Sequence, residues 1–179
     1  MAARPLVVPT HKDPFRFKLL LLGEPATGKS SIAHRWAEDS FTEQYEATIG
    51  MDFFAKDMGR LVVDVWEISG HPEFTDMRRN LYRETRGVCL VYDITVRSTF
   101  EALDTLLLEA YNNGVEKTYL YHAVAGNKLD LKGRRVVSRQ EAEAWCVSRR
   151  FSYFEMSAST GEGVGELFQE LSDQARLGP

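Results

Sequence analysis

Residues 16–31 read RFKLLLLGEPATGKSS. The first seven form a near-continuous apolar run, as in a strand covered on both faces. From Lys29 onward, KSSIAHRWAEDSF (29–41) reads as a helix. Between the two, Gly23, Gly28, Lys29 and Ser30 satisfy G-x-x-x-x-G-K-[ST]. In such a turn the backbone N–H groups of the loop and the helix start form a concave nest for phosphate oxygens. Gly28 lets the backbone approach closely, Lys29 reaches the β- and γ-phosphates, and the Ser30 hydroxyl suits Mg²⁺. The bare pattern arises by chance, but its seat between an apolar strand and a helix makes it specific. It assigns Gly23, Glu24, Pro25, Ala26, Thr27, Gly28, Lys29, Ser30 and Ser31 to a nucleotide's phosphates.

Outward from that turn, strands and helices alternate. MDFFAKDM (51–58) and LVVDVWE (61–67) are strand-like runs split by Gly59 and Arg60, a hairpin signature. GVCLVYD (87–93), LYHAVAG (120–126) and SYFEM (152–156) are further strands. Ser98 with Glu101, and Ser138 with Glu141, are spaced as capping boxes, opening helices over STFEALDTLLLEAY and SRQEAEAWCVSRR. VGELFQELSDQA (164–175) is amphipathic. The order predicts an α/β fold: a mostly parallel six-stranded sheet, one antiparallel edge strand, and helices on both faces. Ligands in such folds sit outside the carboxyl ends of the strands, so the chemistry belongs to the strand–helix turns.

Composition sets the outer limits. The chain has 179 residues, 44% hydrophobic and 27% charged, with a net charge of −4. That suits one globular domain over 16–179 behind a loose, proline-containing leader at 1–15. It gives no reason to expect nucleic-acid or membrane binding. RRNLYRETR (78–86) and KGRR (132–135) read as solvated basic faces. Two cysteines, Cys89 and Cys146, fit a reducing compartment better than a disulfide framework or zinc site. No apolar run approaches the roughly 18 residues of a membrane helix.

The base is read elsewhere. GNKLD (126–130) follows the fifth strand, and a carboxylate at Asp130 can accept from the N1–H and the exocyclic amine of guanine. Adenine offers no such donor pair. Asn127 would brace the loop and the Lys128 stem would lie along the base. After the last strand comes SAS, Ser157, Ala158 and Ser159, where a backbone N–H can meet the guanine carbonyl. Three such turns, each behind a strand, select GTP and GDP over the adenine nucleotides of kinases and ATPases.

With these motifs the sequence resembles the Ras-superfamily small GTPases, and among them the Rab branch, from about Arg16 to Gln174. The stretch YEATIGMDF (45–53) resembles the Rab first switch. The resemblance implies that Thr48 caps Mg²⁺ and the γ-phosphate, that Phe41 packs against the base, and that Tyr45 borders the nucleotide. Phe53 and Trp66 match two members of an aromatic triad read by Rab partners; the third position is Leu81, beside Tyr82. GHPEF (70–74) and FSYFEMSASTGEGVGELFQ (151–169) resemble the RJL group, Rab-like GTPases some of which carry a J domain. No HPD-type J-domain signature occurs here. The implied partners are an exchange factor, an activating protein and effectors, meeting a monomer in signalling and vesicle trafficking. No cysteine follows Cys146, so no prenyl anchor is expected on this chain, and the expected place is cytoplasmic, with a nuclear one also open.

The resemblance breaks at the second switch. Where the family reads W-D-T-A-G-Q-E, this chain reads Trp66, Glu67, Ile68, Ser69, Gly70, His71, Pro72. Gly70 would donate its N–H to the γ-phosphate. Glu67 replaces the Asp that meets Mg²⁺ through water, implying either a direct Glu67–Mg²⁺ contact or a weakly held metal. His71 replaces the Gln that orients the attacking water. Pro25, without an N–H, lies in the cradle, and Ser159 replaces a Lys that braces the base. The catalytic candidates are thus Lys29, Thr48, Gly70 and His71. Two readings stand: a slow GTPase needing a partner, and a GTP-binding module that scarcely hydrolyses.

Overall fold

The computed structural model describes residues 15–44, 47–59, 61–69, 81–115 and 121–177. Six strands form one sheet in the order β2-β3-β1-β4-β5-β6. They are β1 (Phe15–Leu22), β2 (Met51–Asp57), β3 (Leu61–Ile68), β4 (Gly87–Asp93), β5 (Tyr121–Asn127) and β6 (Ser152–Glu155). Only β2 and β3 pair antiparallel; the other four pairings are parallel. Among the described residues the helices are α1 (Lys29–Glu38), α2 (Arg97–Glu101), α3 (Leu103–Asn112), α4 (Arg139–Arg149) and α5 (Val164–Leu177), with a 3₁₀ turn at Leu129–Arg134. This is the predicted architecture.

Its layers follow from the strand periodicity. Phe17, Leu19 and Leu21 of β1 join Val63, Val65, Cys89 and Val91 on one face, against Ile32 and Trp36 of α1 and Leu167 and Phe168 of α5. The alternate residues Leu20, Leu22, Val88, Leu90 and Tyr92 face Leu103 and Leu107 of α3 and Ala142 and Cys146 of α4. Every residue of β4 is buried, because it is central and helices cover both its faces, whereas β2 at the edge is mostly exposed. Truncating a fully buried residue such as Leu19 to Ala should cost about 2–5 kcal/mol. The Trp36 ring stacks on Phe168 with centroids 4.1 Å apart. Both cysteines are free and buried, and burial raises both thiols, so neither is a thiolate near neutrality.

Some local expectations change. The first helix stops at Glu38 rather than Phe41, because Asp39 turns left-handed (φ 52°) and returns its N–H to the Arg35 carbonyl. Ser98 does not cap. The helix begins earlier, behind Val96, and the Thr99 hydroxyl does the tying: it accepts from the Asp93 N–H at 3.0 Å and donates to the Val96 carbonyl at 2.7 Å. That helix is also interrupted at Ala102, giving α2 and α3. Ser138 does cap α4, accepting from the Glu141 N–H at 3.1 Å. The Glu141 carboxylate, however, pairs with Arg97 instead of closing the box. In KGRR, Arg135 is no solvated charge but forks onto Glu155.

Candidate functional site

Chain order reverses about β1, which lies between β3 and β4, so the turn after it opens at the crevice such folds use for ligands. A cleft of about 990 Å³ opens there, at the carboxyl ends of the strands. Pro25, Ala26, Gly28, Lys29, Ser30 and Ser31 of the first turn line it. Gly23 and Thr27 of the same turn are buried, and Glu24 is half-buried. A Cβ on Gly23 would lie 2.3 Å from the Val91 carbonyl oxygen, so no other residue fits there. Thr27 is buried and its hydroxyl donates to the Glu24 carbonyl at 2.9 Å, which holds the arch closed. Ala26 and Gly28 adopt positive φ, 62° and 91°. Lys29 is buried, and its ammonium donates to the carbonyls of Gly23 and Glu24 at 3.0 and 3.2 Å. The start of α1 has no side-chain cap and no acid in its first turn. Its N–H groups and Lys29 therefore suit an incoming anion.

Beside the cradle, three oxygens form a triangle. Glu67 Oε1 accepts from the Ser30 hydroxyl at 2.8 Å and from the Thr48 hydroxyl at 3.1 Å, and the two hydroxyls are 3.2 Å apart. Octahedral Mg²⁺ holds oxygens at about 2.0–2.1 Å, which puts adjacent ligands roughly 2.9 Å apart. The triangle thus matches one face of that octahedron. Glu67 is 2% exposed, and its Oε2 is buried without a hydrogen-bond partner among the described residues. Burial raises its pKa, opposed by the Ser30 hydrogen bond, the Lys29 charge and Thr48. A buried carboxylate with an orphaned oxygen, beside two hydroxyls, fits a hard divalent cation.

The guanine-reading residues converge from the other side. Asn127, at the end of β5, is 2% exposed. Its amide donates to the Thr27 carbonyl at 2.9 Å and accepts from the Ala158 N–H at 3.1 Å, joining the cradle to both base loops. Lys128 adopts positive φ (70°), and its ammonium pairs with Asp93 at 2.7 Å. Burial opposes ionisation of Asp93, but hydrogen bonds from Lys128 and Thr95 outweigh it and lower its pKa. Asp130 is exposed at the cleft, and one of its oxygens accepts from the buried Ser157 hydroxyl at 2.5 Å. Ala158 and Ser159 line the cleft, and so does Phe41, half-buried against the core.

The structure therefore gathers the predicted residues of all four loops it describes. Tyr45, Gly70 and His71 lie outside the described residues. Of the aromatic triad, Phe53 and Trp66 meet with centroids 4.7 Å apart. Leu81 and Tyr82 are both buried, so Tyr82 does not supply the missing surface ring. Sequence reading missed Asp93 and Arg35. Asp93 carried a signal, an acid ending a fully apolar strand, as Glu67 does. Arg35 carried none, because the loop it touches is more than a hundred residues away.

A strand–cradle–helix turn, a hydroxyl–carboxylate triangle and an Asn–Asp loop around one cleft define a P-loop nucleotide-binding domain. Comparison with protein families matches residues 18–177 to the Ras family. The chain belongs to the Ras family, and this is a GTPase domain of the GTP-binding switch type. It is 38% identical over 168 residues to the zebrafish (Danio rerio) protein named DnaJ homolog subfamily C member 27, covering 90% of this chain and 62% of that protein. To the Homo sapiens protein of the same name it is 36% identical over 173 residues, covering 90% and 63%. These relatives bear out the likeness to the RJL group. The chain spans under two thirds of their length.

Proposed function

We propose that this chain binds GTP and GDP together with Mg²⁺ as a Rab-like switch that hydrolyses GTP slowly and with a partner's help. Asn127 carries the proposal, because it joins the phosphate cradle to both guanine loops. In this reading the nest before α1 and Lys29 hold the phosphates, Asp130 accepts from the guanine edge, and Ser30, Thr48 and Glu67 hold the metal. The bound cation would supply charge neutralisation on the phosphates. His71 would orient water less well than a Gln amide. A neutral imidazole has its donor and acceptor on opposite sides of a rigid ring, and a protonated one has no acceptor. FTEQYEATIG (41–50) contains no Arg to serve as an internal finger, a part worth about 10³–10⁵ in rate where present.

Pro25, which lines the cleft without an N–H, favours the second reading, a module that signals by nucleotide loading alone. Single-turnover phosphate release from GTP-loaded protein separates the two. Slow release, accelerated by a cell fraction containing an activating protein, supports the switch; no release under either condition supports the module. Failure to bind fluorescent GDP would overturn both. Exchange factor, activating protein and effectors are expected at the switch segments of a monomer that works inside the cell.

A further inference from the structure

We propose that Arg35 is a positioning residue for guanine recognition: it aims the loop Ser157–Ser159 at the carbonyl of the base. The inference rests on the guanine-binding reading above. Arg35 stands on α1, beyond the phosphate cradle, with its side chain 17% exposed. Its Nε donates to the Ala158 carbonyl at 2.9 Å and one Nη to the Ser159 carbonyl at 2.8 Å. The other Nη is fixed by Asp39, through its carbonyl at 3.1 Å and its carboxylate at 3.0 Å. The guanidinium is thus clamped at one end and grips two consecutive peptide carbonyls at the other, a planar fork that a Lys cannot imitate.

The consequence follows from peptide geometry. In a trans peptide the C=O and the N–H point in opposite directions. Pinning the Ala158 carbonyl to Arg35 therefore turns the Ser159 N–H away from the guanidinium. The neighbouring Ala158 N–H is already donated to Asn127 Oδ1 at 3.1 Å. Ser159 lines the cleft, and among the described residues its N–H has no acceptor. That leaves it as the loop's donor for a ligand oxygen. Gly161 seats the stem of the fork: it adopts φ +88°, and a Cβ there would stand 3.6 Å from Arg35 Cδ. Ser159 itself is too short to lie along a base, so in this chain the bracing comes from beneath the loop, through its backbone.

The test separates aim from general stability. Dissociation constants are measured in Mg²⁺ for GDP and for 6-thio-GDP, using the parent, Arg35→Met and Arg35→Lys. The thio analogue keeps the N1–H and amine that Asp130 would read and changes only the acceptor at position 6. Met keeps the apolar stem without donors, and Lys keeps the charge without the fork. The expected result is about a tenfold loss of GDP affinity in Arg35→Met, a loss of at most about twofold for 6-thio-GDP, and an intermediate pattern in Arg35→Lys. Equal losses for both nucleotides in both variants, or no loss, would overturn the proposal. If Arg35→Met does not fold, Arg35→Lys decides by the same ratio. A parent that binds neither nucleotide would overturn the guanine reading itself, which a flat ratio in a GDP-binding parent would not.

Discussion

Asn127 donates its amide hydrogen to the carbonyl of Thr27 at 2.9 Å, across a hundred residues of sequence. The contact is close enough that a Cβ on Gly28 would lie 2.2 Å from the same nitrogen. Removing that amide leaves the Thr27 carbonyl and the Ala158 N–H, both buried, without their partner. An unsatisfied buried group costs about 1–3 kcal/mol. Asn127→Ala is therefore expected to speed the release of fluorescent GDP at least tenfold. Release at the parent rate would show that the two loops hold their shape without this link.

Asp130 should decide the base. Its carboxylate keeps one oxygen on Ser157, leaving the other for the guanine edge. Hydrogen bonds to charged groups are worth about 1.5–3 kcal/mol, so Asp130→Asn should weaken GDP at least tenfold while gaining affinity for xanthosine diphosphate. Isothermal titration with both nucleotides checks it. A mutant holding GDP like the parent would remove Asp130 from the site.

Glu67 reaches both metal-side hydroxyls through a single oxygen, a span that favours direct contact with Mg²⁺. Glu67→Gln should raise the Mg²⁺ concentration that halves GDP release by tenfold or more. Glu67→Asp, withdrawn by about 1.5 Å, should lose Thr48 and fall between. A Mg²⁺ dependence identical in all three proteins would mean that the carboxylate does not hold the metal.

His71→Gln is expected to accelerate single-turnover hydrolysis, since an amide offers donor and acceptor together. Fast hydrolysis by the parent, abolished in this variant, would instead make His71 a working catalytic group.

Asp93 gives a pH-dependent prediction. Its pKa is lowered despite burial, through Lys128 and Thr95. A depressed carboxylate stabilises the fold above its unfolded value, about 3.9. That contribution is lost as the pH falls through the lower folded value. Asp93→Asn should cost about 1–2 kcal/mol in urea unfolding at pH 7, given that hydrogen bonds to charge are worth about 1.5–3 and Lys128 is a third exposed. At a pH low enough to protonate Asp93 in the folded protein, the difference should vanish. An equal deficit at both values would deny the ion pair its role.

The central strands were legible because two-faced burial leaves a near-continuous apolar run, as in RFKLLLL and GVCLVYD. The cradle and the Asn127–Asp130 loop were legible because their chemistry is local: each needs consecutive residues at fixed offsets. What escaped was long-range. Ser98 has the spacing of a cap, yet Thr99 won the contest by reaching the buried backbone of Asp93. Arg135 looked like one basic residue among several until β6 brought Glu155 against it. Arg35 binds carbonyls, which every residue has, so no pattern of side chains could have marked its target.

The three tryptophans occupy three different optical environments. Trp36 lies flat on Phe168 inside one layer, and Trp145 sits under the Arg149 guanidinium at 3.9 Å on the far side of the sheet. Trp66 is half-buried between Phe53 and the Lys18 ammonium and immediately precedes Glu67 in β3. Indole emission responds to nearby charge and to water. With Trp36 and Trp145 replaced by Phe, the remaining light would come from a ring one residue from the candidate metal ligand. The chain thus holds a built-in fluorescent gauge of what happens at that edge, needing no attached dye.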